Sequence, residues 1–220
     1  MLSPVTSPGA TAARPLRADA ARNLERVVGA ATELFAEQGL EVRVEDIATR
    51  AGVGMGTLYR RFPNKDALIA FLVDELVTST LELGSRALTE PGDTGLEAFL
   101  VGVGEMQMAN PGCLTRLWRG GFSPEQREEL RALLRRLVSR AHAAGSLRPE
   151  ITATDVSVLL WSLQQIVTMT ANVAPNAWRR HLEILLAGIS TQPRAITHRP
   201  LSRRELTIAI DGLNANPAGS

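Results

Sequence analysis

The twelve residues AGVGMGTLYRRF, 51–62, restrict the possible folds of this chain more than any other stretch. Glycines stand at the alternate positions 52, 54 and 56, directly before a threonine and a run of aromatic and basic residues. Glycine lets a backbone approach a phosphate closely, and the N-terminus of a helix favours an anion. The segment therefore predicts either a site for a bound dinucleotide or a helix that contacts the phosphates of a DNA strand.

The residues before the glycines favour the second interpretation. A dinucleotide site has its glycines directly after a buried parallel strand, but VEDIATRAG, 44–52, has apolar residues at helical spacing and no strand pattern. A P-loop would need Gly-Lys followed by Ser or Thr, and this chain has no such sequence here. A nucleotide-binding enzyme that uses the segment Gly52–Gly56 remains the alternative.

Hydrophobic periodicity predicts an all-α chain. Ser202 and Glu205 form a capping-box pattern, so we expect a short helix rather than a strand in the tail. Thr154 is the expected N-cap of a helix over 155–172. The other predicted helices span 23–37, 44–50, 55–62, 65–87, 96–109, 114–118, 124–145 and 175–189. The expected fold has about nine helices, a three-helix helix-turn-helix domain followed by a larger helical domain.

Each glycine of the segment has a local task in a helix-turn-helix. Gly52 follows the second helix, where a positive φ is common. Gly54 falls at the N-cap of the third helix. Gly56 removes a side chain from the face nearest a partner, at roughly 1 kcal/mol of helix propensity. Such a turn crosses the two helices so that the second can enter a DNA major groove.

Residues 24–68 closely resemble the N-terminal domain of the tetracycline-repressor (TetR) family. The matching pieces are ELFAEQG, DIATRAGV, GTLYRRF and NKDAL, which end in register at residue 68. Gly54 departs from the family pattern, since many members have serine there. The rest of the chain is similar only in the number and length of its helices. The resemblance implies a repressor that binds a palindromic operator in double-stranded DNA as a homodimer and is released by a small-molecule effector. An activator of the same fold is the alternative.

The resemblance also implies which residues contact DNA. The hydroxyls of Thr57 and Tyr59 are expected at phosphate oxygens, which fixes the register without reading the sequence. A core aromatic is the alternative for Tyr59, whereas Leu58 and Phe62 are expected in the core. Met55 can offer only apolar contact to a base edge. The expected DNA-binding residues are Arg43, Gly54, Met55, Gly56, Thr57, Tyr59, Arg60, Arg61 and Lys65.

The helix over 155–172 is apolar on nearly every side, so we expect one face to meet the core and another to meet a second subunit. A wholly internal helix is the alternative. The expected dimer interface comprises Val158, Trp161, Trp178, Leu182, Leu185 and Leu186.

A ligand pocket would lie between the fourth and eighth helices of such a fold, where Gly102 and Gly104 would open space. The candidate lining residues are mostly apolar, which indicates a hydrophobic effector with few polar anchors. They are Phe71, Phe99, Met106, Trp118, Trp161, Gln164 and Met169. Plain core packing is the alternative for each of them.

Composition argues against several other classes of protein. The single cysteine, Cys113, fits neither an intrachain disulfide nor a multi-cysteine zinc site. The three histidines are scattered and no serine lies in a nucleophile motif, so we expect no catalytic residue, metal or cofactor. A secretion signal and a long apolar span are both missing, which predicts a cytoplasmic protein without a membrane partner. The net charge of +1 implies that any DNA contact depends on local charge.

These patterns together divide the chain into four segments. Residues 1–17, rich in Pro, Ser, Thr and Ala, are expected to be a disordered arm. Residues 18–65 form the expected DNA-binding domain, 66–190 the ligand-binding and dimerisation domain, and 191–220 a tail. Arg127, Arg131, Arg135 and Arg136 are expected to form a solvated face that pairs with the acidic stretch 66–111. A second nucleic-acid patch is the alternative.

Overall fold

The computed structural model describes residues 13–110 and 122–215, with side chains between residues 19 and 210 of these ranges. This part of the chain forms nine α-helices and no strand, apart from one isolated bridge between Leu147 and Ser190. The predicted fold class is therefore confirmed. The helices are α1 Ala13–Gln38, α2 Val44–Ala51, α3 Met55–Arg61, α4 Lys65–Ala87, α5 Gly95–Ala109, α6 Pro124–Ala143, α7 Ala153–Thr170, α8 Ala177–Ile189 and α9 Arg203–Ala215.

Most helix ends lie within two residues of their predicted positions, but the first and last helices are longer than expected. Helix α1 begins at Ala13 rather than near Asn23, because Pro15 is compatible with a first turn and the residues after it are rich in alanine. Helix α9 continues to Ala215. The rest of the predicted arm, residues 1–12, and the predicted helix over 114–118 lie outside the described residues.

The chain divides into two compact units, and the boundary lies within α4, between residues 72 and 73. The sequence predicted that the first domain ends at residue 65. In the first unit α1 packs against α2, and α2 packs against α3. The apolar stripe that periodicity predicts for α1 is the buried one. The core of this unit includes Val27, Ala31, Leu34, Phe35, Ile47, Ala48, Leu58, Phe62 and Leu68.

Helix α7 is the centre of the second unit, where it packs against α5, α6, α8 and α9. It buries Val156, Leu160 and Leu163, which share one face. Its opposite face carries Val158 and Trp161, which are 57% and 58% exposed. The alternative of a wholly internal helix is therefore wrong for the single chain.

The first turn of α7 is capped by Thr152 and not by Thr154. The Thr152 hydroxyl accepts a hydrogen bond from the Asp155 N–H at 3.3 Å, and the Asp155 carboxylate accepts one from the Thr152 N–H at 2.8 Å. The Thr152 hydroxyl also donates to the Asp155 carboxylate at 2.6 Å, and this bond together with the one from the Thr152 N–H lowers the pKa of Asp155. Because Thr152 and Asp155 are three residues apart, they form a reciprocal capping box that a threonine at 154 could not form.

We expect the Thr152→Ala substitution to lower the free energy of unfolding by about 1 kcal/mol, since it removes the cap of the central helix. The matched control is Thr154→Ala on the same exposed turn, for which a change of at most about 0.5 kcal/mol is expected. Urea unfolding of both variants measures the difference. An effect of Thr154→Ala as large as that of Thr152→Ala would contradict the assignment of the cap.

The two glycines within α5 accommodate side chains of neighbouring helices and do not open a cavity. A Cβ atom on Gly104 would lie 2.4 Å from the Trp178 ring, and one on Gly102 would lie 2.7 Å from Leu83. Both distances are too short for carbon atoms, so the ring and the leucine occupy this space. The prediction that these two glycines open space for a ligand is therefore wrong.

Polar contacts hold the segment between α8 and α9 against α8. The Glu183 carboxylate accepts hydrogen bonds from the N–H groups of Thr197 and His198, both at 3.0 Å. Desolvation raises the pKa of Glu183, but hydrogen bonds from the Thr197 hydroxyl and the His198 ring, together with those from the two N–H groups, outweigh it and bring the pKa to about 2. At the start of α9, Ser202 and Glu205 form the predicted capping box, and the expectation of a helix rather than a strand is confirmed.

The arginine-rich face of α6 pairs mainly within its own helix. Arg131 and Arg135 both contact the Glu128 carboxylate, at 3.4 and 2.9 Å. Only Arg140 reaches toward the acidic stretch, where it donates to the backbone oxygen of Glu90 at 2.6 Å. The expected pairing with acidic side chains of 66–111 is thus replaced by local pairs, because residues three and seven apart lie on one helix face.

Candidate nucleic-acid interface

The turn between α2 and α3 is set by Gly52. This residue has φ 62° and ψ 38°, the left-handed conformation that favours glycine. Its N–H donates to Thr49, and the Val53 N–H donates to Ala48 at 3.0 Å, which closes the end of α2. Arg26 of α1 donates to the Gly52 carbonyl at 3.4 Å. The predicted role of Gly52 is confirmed, and the turn fixes the direction in which α3 leaves α2.

Helix α3 has one buried side and one exposed side. Leu58 is 1% exposed and Phe62, directly after the helix, is 4% exposed, so both lie in the core as expected. Tyr59 is 43% exposed, which excludes a core role for this aromatic residue. Met55 and Thr57 are half-buried and Arg60 is exposed. The outward face of α3 thus combines a phenol, a guanidinium and a hydroxyl, groups that donate to phosphate oxygens.

The fold of this chain does not require glycine at two positions at the start of α3. Gly54 is the N-cap, as predicted, with φ −71°, and Gly56 also has a negative φ. A Cβ atom at either position would meet nothing within 4 Å. Conformation and packing in the chain therefore both permit a side chain here. Bare backbone at an exposed helix start is what the close approach of another molecule requires.

The two arginines at the end of α3 differ in their surroundings. The guanidinium of Arg61 lies over the rings of Phe62 and Phe71, 5.9 and 5.8 Å from their centroids. These two rings pack edge to face, 5.4 Å apart. Phe71 is therefore an aromatic residue of the first unit, which removes it from the predicted ligand pocket. Arg60 has no such stacking contact and is the freer of the two to reach a phosphate or a guanine edge.

The other two basic candidates lie at helix starts. Arg43, the N-cap of α2, makes two hydrogen bonds to the Asp46 carboxylate, at 3.1 and 3.2 Å. Asp46 raises the pKa of Arg43, and Arg43 lowers that of Asp46. Lys65 is the first residue of α4, and the side-chain oxygen of Asn64 caps this helix by accepting from the Ala67 N–H at 2.8 Å. The positive end of α4 therefore adds to the charge of Lys65.

The second unit contains most of the predicted pocket residues, in several environments. Phe99 and Gln164 are buried, whereas Met106 and Met169 are half-buried. Trp118 lies outside the described residues. Trp161 is exposed, because residues 158, 161 and 165 lie on the side of α7 opposite its buried stripe, so Trp161 does not belong to an internal pocket.

The predicted dimer residues fall into two groups. Val158 and Trp161 are exposed and available to a second subunit. Trp178, Leu182 and Leu186 are at most 6% exposed and form the core of the second unit, while Leu185 is half-buried. The prediction that these three residues lie in the dimer interface is wrong, because α8 packs the side that carries them against the core of its own unit. Ile184, on the other side of α8, is 45% exposed and is not among the predicted interface residues.

Sequence reasoning also missed Gln107. Its side chain is 3% exposed, and its amide oxygen has no hydrogen-bond donor; the same holds for the oxygen of Gln164. A buried acceptor without a donor costs roughly 1–3 kcal/mol. A signal was available, because Gln107 continues the buried stripe of Leu96, Leu100 and Val103 at helical spacing. A glutamine in such a stripe is a polar group placed in the core.

Other kinds of site find little support in residues 13–110 and 122–215. Histidine, cysteine and carboxylate side chains in these ranges form no group of three that could hold a metal ion. Helices long and apolar enough to cross a bilayer are likewise missing from this part of the chain.

Two sequence profiles match the chain. Residues 27–71 match the tetR family of bacterial regulatory proteins, and residues 93–191 match the C-terminal domain of SbtR-like transcriptional regulators. The first match covers α2 and α3 with the turn between them. The second covers helices of the larger unit.

Individual relatives agree with these profiles. The chain is 30% identical to a TetR transcription regulatory protein of Mycobacterium vanbaalenii, with a TM-score of 0.60, over 80% of this chain and 100% of the other. It is 29% identical to a TetR regulator of Streptomyces coelicolor, with a TM-score of 0.58, over 78% and 99% of the two chains. The HTH-type regulator YvdT of Bacillus subtilis is 39% identical over 59 residues, 26% of this chain and 30% of YvdT. The alignment with such curated relatives thus spans about a third of their length.

Proposed function

Because the chain belongs to the TetR family of DNA-binding transcription regulators, which are not enzymes, we propose that it is a repressor that binds a palindromic operator as a homodimer. A small, mainly hydrophobic effector releases it from the DNA. The protein acts in the cytoplasm, where a bacterial chromosome lies.

The observation that carries this proposal is the outward face of α3. Tyr59 and Arg60 are exposed there, and the bare backbone at Gly54 and Gly56 serves no need of the chain itself. A helix with this face fits a major groove, where the glycines let the backbone come close to a phosphate strand and the side chains donate to it. Lys65, at the positive end of α4, is the further phosphate contact of this proposal.

The exposed face of α7 and α8 supports the homodimer. Residues 156–178, which include all of α7 from Val156 onward, contain no Asp, Glu, Lys or Arg, and Val158 and Trp161 are exposed there. Ile184 is exposed on α8, which packs against α7 and also carries Arg179, Arg180 and Glu183. Burial lowers the pKa of His181, which favours its uncharged form. A two-fold contact brings the same face of both copies together, and the uncharged face of α7 meets no like charge there.

The effector releases the dimer from DNA if it binds more tightly to a conformation of the dimer that has low affinity for DNA. The DNA affinity then falls by the ratio of the two effector affinities. Helix α4 is continuous from Lys65 to Ala87 and carries residues of both units, so we assign it the coupling role.

We expect the Gly56→Ala substitution to change stability and DNA binding in opposite directions. Alanine stabilises a helix relative to glycine by about 0.5–1 kcal/mol, and the added Cβ atom meets nothing in the protein. The same atom would stand between the α3 backbone and DNA, so operator affinity should fall about tenfold. Thermal unfolding and a fluorescence-anisotropy titration measure the two effects.

The matched control is Gly29→Ala on α1. Gly29 is also helical and exposed, and a Cβ atom there meets nothing within 4 Å. It should stabilise the protein to a similar degree and leave DNA affinity unchanged. Unchanged DNA affinity in Gly56→Ala would count against the close approach of DNA at this helix start.

Selection of genomic fragments by the purified protein tests the proposed function directly. Recovered fragments should be retarded in gels, and footprints should show two-fold symmetric half-sites about 34 Å, or a multiple of a helical turn, apart. Affinity should fall steeply with salt because phosphate contacts release counterions. Failure to retard any fragment of the native chromosome would overturn the proposal.

A further inference from the structure

The second unit contains two buried glutamines whose amide oxygens have no partner. Gln107 lies on α5 and Gln164 on α7, two helices that pack against each other. Each side chain is 3% exposed, and neither oxygen receives a hydrogen bond. Buried polar atoms in proteins nearly always have a partner, so two orphans in one unit indicate something outside the chain that supplies the donors.

The other buried polar side chains of the described residues show that the fold can satisfy such groups by itself. The hydroxyls of Thr80 and Thr170 donate to backbone oxygens one turn earlier, both at 2.7 Å, and Ser190 donates to the Ser146 carbonyl at 3.3 Å. Only the two glutamine oxygens are left without a donor among them. The difference separates Gln107 and Gln164 from ordinary core polar residues.

Flexible residues lie next to Gln107. The adjacent Met106 is half-buried, and its sulfur lies 3.5 Å from the Thr80 hydroxyl. Methionine side chains adapt their shape to a bound molecule more readily than branched residues do. Met106 can therefore change its conformation more easily than a branched residue at this position could.

We propose that the amide oxygens of Gln107 and Gln164 accept hydrogen bonds from the effector, an inference that rests on the proposed function. The effector is then a neutral, mainly apolar molecule with hydroxyl or N–H donors. Its neutrality follows from the core: the buried residues described in this unit include no Asp, Glu, Lys, Arg or His, and a buried charge without a partner is strongly unfavourable.

The first test needs no ligand. Gln107→Leu and Gln164→Leu keep much of the side-chain volume and remove the orphaned oxygen, so each should raise Tm by about 2–4 °C in the absence of effector. The matched control, Gln192→Leu, changes an exposed glutamine and should leave Tm unchanged. A lower Tm in the two core variants would overturn the inference, because it would show that the oxygens already have a donor such as a buried water.

The second test compares 4-hydroxybiphenyl with 4-methoxybiphenyl, which differ in one hydrogen-bond donor. Other neutral aromatic alcohols are each compared with their methyl ether in the same way. The hydroxyl compounds should raise the Tm of the wild-type protein more than their methyl ethers, and this difference should vanish in the Gln107→Leu, Gln164→Leu double variant. Equal shifts within every pair would overturn the inference.

Failure of the inference can be distinguished from failure of the proposed function. The double variant should retard the selected genomic fragments as the wild type does, while the compound concentration needed for half-release should rise at least tenfold. If the same compound concentration releases both proteins from DNA, the glutamines do not bind the effector, and the proposed function as a regulator is unaffected. If no fragment is retarded by the wild type, the proposed function fails, and the stability measurements are unaffected.

Discussion

Alanine in place of Trp178 is expected to lower the free energy of unfolding by about 3–5 kcal/mol, because it removes the largest side chain of the core of the second unit. Trp178 is 2% exposed and stacks beneath the guanidinium of Arg179, 4.5 Å from the ring centroid. The matched control is Trp161→Ala, the same change at a residue that is 58% exposed. Its effect on the unfolding of the isolated chain should stay within about 0.5 kcal/mol.

Chemical unfolding at two protein concentrations separates these effects. The stability of a dimer rises with protein concentration. A loss of stability in Trp161→Ala that depends on concentration therefore reports the subunit contact. A loss of stability in Trp178→Ala that is the same at both concentrations reports the core. Similar losses in the two variants at every concentration would contradict the assignment of Trp178 to the core and Trp161 to the surface.

A double-mutant cycle with Gly104 sharpens this prediction. In the wild-type protein, Gly104→Ala places a Cβ atom 2.4 Å from the Trp178 ring and should be strongly destabilising. In the Trp178→Ala background the ring is gone, and the same change should stabilise α5 by up to about 1 kcal/mol. The opposite signs measure direct contact between the two positions. Equal effects in both backgrounds would show that the glycine is needed for another reason.

The sequence predicts the first unit well because its features are local. A glycine at the end of a short helix requires a particular backbone conformation, and Gly52 has it. An asparagine before an apolar repeat caps a helix, and Asn64 does so. Tyr59 is a partial exception: it is three residues from Phe62 and could share its helix face, so the sequence left a core position open and only the structure shows that Tyr59 is exposed.

The register of α7 and α8 could not be derived in the same way. Helix α7 is apolar around most of its circumference, so periodicity does not single out one face there. In α8 periodicity identifies the apolar stripe of Trp178, Leu182 and Leu186, but not whether the core or a second subunit covers it. Trp161 and Trp178 look alike in sequence, and only the packing of α5 against α8 determines that the second is covered. Gly104 illustrates the same limit: the sequence shows that a side chain is missing, but not that a tryptophan ring fills the space.

Phe71 and Gln107 show two further limits. Phe71 lies six residues after the start of α4 and before the unit boundary, where its ring packs against Phe62 of the first unit. A helix that serves two units gives no sequence signal of where one ends. Gln107 lies in an apolar stripe, and only the structure shows that its oxygen is left without a donor.

We expect Trp161→Arg to dissociate the proposed dimer and to lower operator affinity by roughly 10²–10⁴-fold. Two-fold symmetry places the new charge on both sides of the contact, where a charge without a partner costs several kcal/mol, and each 1.4 kcal/mol is a tenfold change in Kd. A monomer binds one half-site at a time and loses the gain from linked binding. Sedimentation measures the first effect and anisotropy titration the second.

The matched control is Ile196→Arg, which introduces the same charge at an apolar side chain that is 44% exposed but lies between α8 and α9. It should leave both the dimer and the operator affinity intact. Trp161→Phe keeps an apolar ring on the face of α7 and should retain most of the dimer. A monomeric Trp161→Arg protein that still binds a two-fold operator with wild-type affinity would show that DNA recognition does not depend on this contact. A dimeric one would place the subunit contact elsewhere on the molecule.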